Sequence, residues 1–93
     1  MAIRFVLLGG LRDLTKGEDD LRGEGRTVGE ALDSLREVNP TLGDSICDEH
    51  GRLREFINVF VGGREVRALK GERTRVKDGE SLIIAPSVAG GAQ

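Results

Sequence analysis

Three features of the sequence predict an α+β fold, a mixed sheet wrapped around one main helix. TVGEALDSLREVNP alone carries a long helical stripe. Apolar runs of strand type, AIRFVLL, EFINVFV and SLIIAP, sit at both ends of the chain. Gly62-Gly63 and Asp78-Gly79 mark tight turns in the second half. The 93 residues allow one hydrophobic core and not two. With 38% hydrophobic residues, three phenylalanines and no tryptophan or tyrosine, that core must be largely aliphatic.

The first strand is expected over Ala2 to Leu8, where Ile3, Phe5 and Leu7 alternate to one side until Gly9-Gly10 stops the run. GGLRDLTKGEDD reads as a loop. A weak strand follows near Asp19 to Gly23, short and at a sheet edge because Leu21 is its one sizeable apolar residue. Thr27 and Glu30 have capping-box spacing, and Val28, Ala31, Leu32, Leu35 and Val38 form the inward stripe of the helix. Pro40 disfavours helical geometry at Asn39 and should end that helix. TLGDSICDEHG is then a short helix or turn pointing Leu42 and Ile46 inward. EFINVFV, apolar on both alternating sets except at Asn58, reads as a central strand. Gly62-Gly63 is a hairpin turn and REVRAL the returning strand. After a loop closed by Asp78-Gly79, SLIIAP is the last strand, ended by Pro86. This order fits the β-grasp arrangement among other small α+β layouts. The domain is expected over 1–86, with a flexible tail over 87–93.

A formal net charge of −2 and the lack of any Lys/Arg block argue against nucleic acid or an anionic membrane as partner. The apolar run Val6-Leu7-Leu8 is too short for a signal-peptide core or a span, so a cytoplasmic protein is expected. Cys47 is the sole cysteine, which rules out an internal disulfide or a thiolate zinc site. Its acidic neighbours Asp44, Asp48 and Glu49 disfavour a thiolate, so it reads as a structural thiol. His50 lies in a polar turn and lacks partner ligands; no metal site is expected. Glu18-Asp19-Asp20 and Asp48-Glu49 sit in glycine-flanked loops without the desolvated pocket that acid–base work requires. Gly9-Gly10 and Gly62-Gly63 lack the spacing of a phosphate-binding loop. Nothing in the chain builds an active site of its own.

The ending APSVAGGAQ has a different character. Glycines neither pack a core nor hold a helix, but a strand without Cβ atoms can thread a narrow channel. Pro86 to Gly91 spans about 17 Å when extended. INVFVGGREVR (Ile57 to Arg67), VKDGESL (Val76 to Leu82) and IIAPSVAGG (Ile83 to Gly91), in this order and spacing, resemble the ubiquitin-like sulfur carriers that include ThiS and the small subunit of molybdopterin synthase. TVGEAL is similar to the family's helix start. FINVFVGGREVR and SVAGG are most similar to the carriers that serve cysteine biosynthesis.

The resemblance implies a ubiquitin-like β-grasp fold and a role as protein co-substrate rather than enzyme. An adenylating partner would draw Val88, Ala89, Gly90 and Gly91 into its ATP site and form an acyl adenylate on Gly91. A sulfur donor would convert this to a thiocarboxylate, which then serves a sulfur-accepting biosynthetic enzyme. The destination is cysteine, molybdopterin, thiamin or a secondary metabolite. ATP belongs to the partner, and no cofactor is expected on this chain. Because Ala92-Gln93 follow Gly91, the resemblance also implies processing at Gly91-Ala92, for which a metalloprotease is a suitable agent. Phe60, Ile84, Pro86 and Val88 are docking candidates; alternation assigns Phe60 and Ile84 equally well to the core. A protein modifier joined to lysines through Gly91, and a non-reactive β-grasp binding module, are the alternatives.

Overall fold

The computed structural model describes residues 2–15 and 21–87. Strands β1 (Ala2–Leu7), β2 (Leu21–Glu24), β3 (Ile57–Val61), β4 (Arg64–Glu65) and β5 (Ser81–Pro86) form one sheet in the order β2-β1-β5-β3-β4. β1 and β5 are parallel, and the other neighbours are antiparallel. Helices α1 (Val28–Val38) and α2 (Pro40–Ile46) supply the second layer. This is the expected α+β class, with the chain wrapped in the β-grasp manner around α1.

Alternation decides which side chains enter the core. Ile3, Phe5 and Leu7 of β1, Ile57, Val59 and Val61 of β3, and Leu82 and Ile84 of β5 are all buried. Val28, Ala31, Leu32 and Leu35 of α1 meet them, with Leu42 and Ile46 of α2 in the same cluster. Val38, read as the end of the α1 stripe, is instead 60% exposed. It is the last helical residue, beside the turn into α2, and among the described residues no element closes over it.

The helix ends are built by side chains. Thr27 Oγ1 accepts the Glu30 N–H at 3.2 Å, and Glu30 Oε1 accepts from the Arg26 N–H at 2.9 Å, one residue before the usual capping-box partner. Asn39 serves two helices at once. Its N–H donates to the Leu35 carbonyl at the end of α1, and its Oδ1 accepts from Leu42 N–H at the start of α2. Pro40 therefore opens α2, at the helical position where a missing N–H costs nothing.

Several expectations are corrected. Gly9–Thr15 forms a short 3-10 helix rather than a loop, because Leu11 and Thr15 turn inward. The second strand runs over Leu21–Glu24. β3 is an interior strand, as expected, lying between β5 and the two-residue β4, while β5 takes the middle of the sheet. Its outward residues Asn58 and Phe60 are half-buried, in keeping with an apolar pattern on both alternating sets. The return after Gly62-Gly63 leaves the ladder after Glu65, since Val66–Ala68 turns to bury Val66. The hairpin turn itself is present, with φ of 60° at Gly62 and 82° at Gly63.

The Asp78-Gly79 turn locks the head of β1. Asp78 Oδ1 accepts the Ala2 N–H at 2.7 Å, and the Gly79 N–H donates to the Ala2 carbonyl at 2.8 Å. β5 thus starts from a fixed point and delivers its far end, Pro86, from the middle of the sheet.

Candidate functional site: the root of the tail

The chain leaves the sheet between two flanking elements, and each holds it. On the β1 side, the Leu8 N–H donates to the Ile84 carbonyl at 3.0 Å. Gly9, at φ 61°, lies so close to Pro86 that a Cβ there would sit 3.1 Å from the proline Cγ. On the β3 side, Ile57 pairs with Pro86, and the Ser87 N–H donates to the Phe56 carbonyl at 2.7 Å. Ser87, assigned to the tail from sequence, is thereby tied to the neighbouring segment.

That segment is braced in turn. Arg67, projecting from the turn after β4, donates through Nη2 to the Arg54 carbonyl at 2.7 Å and through Nη1 to Asn58 Oδ1 at 3.2 Å. Arg54 returns its Nε–H to the Asp44 carbonyl at 2.9 Å and its N–H to the Ile46 carbonyl. Sequence patterning held no signal for this brace, because Arg67 reads as part of the returning strand REVRAL.

The outward sheet face carries an apolar row. Val6, Ile83 and Phe60 are neighbours across three strands, each half-buried. Phe60 therefore has its ring on the face opposite the helices. Ile84 does not: it is fully buried between Leu7 and Val59, so its place among the docking candidates is corrected to core. Pro86 is half-buried at the end of β5. Val88, Ala89, Gly90, Gly91 and Ala92 lie outside the described residues. Two exposed apolar residues at the root, Leu8 and Phe56, were missed by the sequence reading. Both continue the outward alternation of their strands, which was the available signal.

The side chains with reactive chemistry are placed elsewhere. Cys47 is buried, and its thiol is pushed up to about 11, chiefly by desolvation; Arg36 opposes this, while Asp33, Glu72 and Asp48 add to it. His50 is exposed beside Glu49. Asp48 Oδ1 accepts the N–H groups of His50 and Arg52, and the Arg52 bond leads in holding the carboxyl below its ordinary value. Among the described residues no group of three or more His, Cys, Asp or Glu side chains is arranged to hold a metal ion. No described helix is long and apolar enough to cross a membrane.

A small grasped-helix domain that hands its last strand directly into a Val-Ala-Gly-Gly sequence matches the ThiS family model over residues 5–91. The chain belongs to the ThiS family. Among relatives, sulfur carrier protein CysO of Mycobacterium tuberculosis is 32% identical over 83 residues, covering 87% of this chain and 89% of that protein. The crystal structure of the Amycolatopsis orientalis BexX/CysO complex contains a chain that superposes with a TM-score of 0.81 at 32% identity, covering 91% of this chain and 94% of that one. The small archaeal modifier protein 1 of Methanosarcina acetivorans gives a TM-score of 0.80 at 30% identity, covering 95% and 94%. These relatives share the ubiquitin-like β-grasp fold and are named as carriers or modifiers. Resemblance and comparison agree on the family and the fold.

Proposed function

We propose that this ThiS-family chain is a sulfur carrier whose reactive group is the Gly91 carbonyl. The observation that carries the reading is the tail root: the middle strand is held by a hydrogen bond from the β1 side at Ile84, with Gly9 close against Pro86, and from the β3 side as far as Ser87, four residues before Gly91. A rigid base with a slender extension is what a tethered co-substrate requires, because it converts encounter of the reacting groups into an intramolecular step.

Gly91 is joined to Ala92 by a peptide bond, so hydrolysis after Gly91 comes first and frees its carboxylate. In an adenylating partner, a carboxylate oxygen attacks the α-phosphorus of ATP and pyrophosphate departs. Hydrosulfide then adds to the acyl carbon and AMP leaves with the bridging oxygen, giving a thiocarboxylate. A carboxylate is a poor electrophile until its oxygen becomes a good leaving group, which is why ATP is spent. The partner supplies nucleotide, metal and base. Similarity to CysO supports cysteine biosynthesis as the destination of the sulfur.

The test is incubation of a Gly91-ending variant with ATP, sulfide and the candidate adenylating enzymes of its native host. The expected product is intact protein in which one oxygen has been exchanged for sulfur. Unchanged mass with every such enzyme overturns the reading. Similarity to a small archaeal modifier protein supports a second reading, conjugation of Gly91 to lysines. A ladder of conjugates on immunoblots, with no thiocarboxylate, would establish it instead.

A further inference from the structure

Charge is segregated along this chain. Residues 28–51, which hold both helices, carry six carboxylates and one cation, Arg36. Residues 64–77 carry six cations, Arg64, Arg67, Lys70, Arg73, Arg75 and Lys77, against Glu65 and Glu72, in a protein whose overall charge is −2. No two of the six are adjacent in sequence, but Val66, Thr74 and Val76 between them turn inward and are buried, which leaves all six exposed. Both carboxylates are already used. Glu72 Oε2 accepts the Leu53 N–H at 3.0 Å, and the Glu65 carboxylate lies 3.5 Å from Arg67 Nη1. Among the described residues, the side chains of Arg64, Lys70, Arg73, Arg75 and Lys77 enter no hydrogen bond or ion pair. In the middle of this stretch Leu69, Lys70, Thr74 and Arg75 line a cavity of about 370 Å³. The Thr74 hydroxyl is engaged by the Lys70 N–H at 3.1 Å, so half-buried Leu69 and the stems of Lys70 and Arg75 set the cavity's character.

We propose that residues 64–77 form a docking surface for an acidic segment of a partner protein, with an apolar side chain of that segment seated on Leu69 and its carboxylates between Lys70, Arg73 and Arg75. This goes beyond the sulfur-carrier reading and does not depend on it, since the tail takes no part. Charge complementarity selects the occupant: unpaired cations around an apolar-lined cavity favour carboxylates flanking an aliphatic side chain. The cavity lies at the lower end of the range for binding sites, about 300–1,000 Å³. Nucleic acid fits less well, because no aromatic side chain lies within 64–77 to stack a base. The acidic helical layer adds orientation, drawing an acidic partner to one side of the molecule and repelling it from another. Position separates this surface from the tail. The Val28 N–H donates to the Thr74 carbonyl and the Val76 N–H to the Arg26 carbonyl, which ties the cavity to the start of α1. β2, which leads into α1, ends at Glu24 opposite Ala2, and Ala2 is held by the turn before β5. The cavity thus lies toward the beginning of β5 while the tail leaves from its end, so a partner can sit here while the tail is engaged by another.

The experiment titrates the isotope-labelled full chain with a synthetic peptide in which a leucine lies between two runs of glutamate, and follows the backbone amide shifts. Saturable binding is expected, with the shifted amides concentrated within 64–77. Arg73→Glu and Arg75→Glu should each weaken it about tenfold. Raising salt from about 0.01 M to about 1 M, which shortens the screening length from about 30 to 3 Å, should remove most of it. Arg52→Glu makes the same change in net charge outside the stretch and is expected to bind as wild type does. Leu69→Ser, and wild type with a peptide carrying serine for leucine, should both bind less tightly; the peptide change leaves the protein's fold untouched. Absence of saturable binding at low salt, shifts centred outside 64–77, or an equal loss in Arg52→Glu overturns the surface. Undiminished binding of the serine peptide overturns the seat on Leu69. A single-stranded oligothymidylate that binds as tightly as the acidic peptide replaces the proposal with a nucleic-acid surface. None of these results bears on the carrier reading, which stands or falls on the mass of the Gly91-ending variant.

Discussion

Cys47 and Arg67 show how far single residues depart from their apparent character. Burial holds the Cys47 thiol protonated well past its ordinary value of 9.0, to about 11. Between those two pH values the unfolded chain gives up the proton while the folded chain keeps it, so stability falls as pH rises through that window. In urea titrations, the stability of wild type relative to Cys47→Ala should therefore decline from about pH 9 to 11 and hold constant below it. The acidic neighbours of Cys47 pointed to a depressed reactivity from sequence alone. The larger cause, burial, was invisible there because it comes from the tertiary core cluster that Cys47 joins and not from its sequence neighbours. Arg67 carries a different expectation. Arg67→Ala should lower stability by about 1 kcal/mol through loss of the Arg54 and Asn58 hydrogen bonds. It should also speed amide exchange at Ser87, two links further along. Lysine cannot reach both acceptors with a fixed fork, so Arg67→Lys should restore little.

At the scale of elements, legibility followed local chemistry. The α1 cap, the Gly62-Gly63 turn and the Asp78-Gly79 turn are encoded in a few adjacent residues and were readable. Gly62→Ala and Gly63→Ala should each cost about 1–2 kcal/mol in urea denaturation, since both positions hold positive φ. Asn at Gly62 should be better tolerated than Ala. Elements decided by distant partners were misread. The strand after Gly63 gives way at Val66 because a buried site awaits that side chain, and no local residue signals it. Gly9–Thr15 coils for the same reason, around Leu11. Asn39 joins both kinds: Pro40 announces the end of α1, but the immediate restart as α2 depends on one side chain capping the new helix.

For the whole molecule, sheet order is the property the sequence concealed. Alternation marked β3 as an interior strand, but that β5 takes the middle place is visible only in its pairing with both β1 and β3. The consequence is measurable within two adjacent residues. Ile84→Ala, in the core, should cost about 2–5 kcal/mol, whereas Ile83→Ala, on the outward face, should cost about 1 kcal/mol or less by urea denaturation. The strand that leads to the tail was legible in SLIIAP, whereas Leu8 and Phe56 come to flank its far end only once three strands are in register. The middle position of β5 also has a mechanical consequence. A pull on the tail acts along a strand hydrogen-bonded on both sides, through register pairs Arg4 to Leu7 on one flank and Ile57 to Val61 on the other. The antiparallel bonds to β3 run across the pulling direction and the parallel bonds to β1 are slanted to it, so a pull along β5 loads two ladders at once, where an edge strand has one. Tension applied at the end of β5 is thus shared by the ladders on both of its flanks, and the strand that bears it is the one most firmly tied into the sheet.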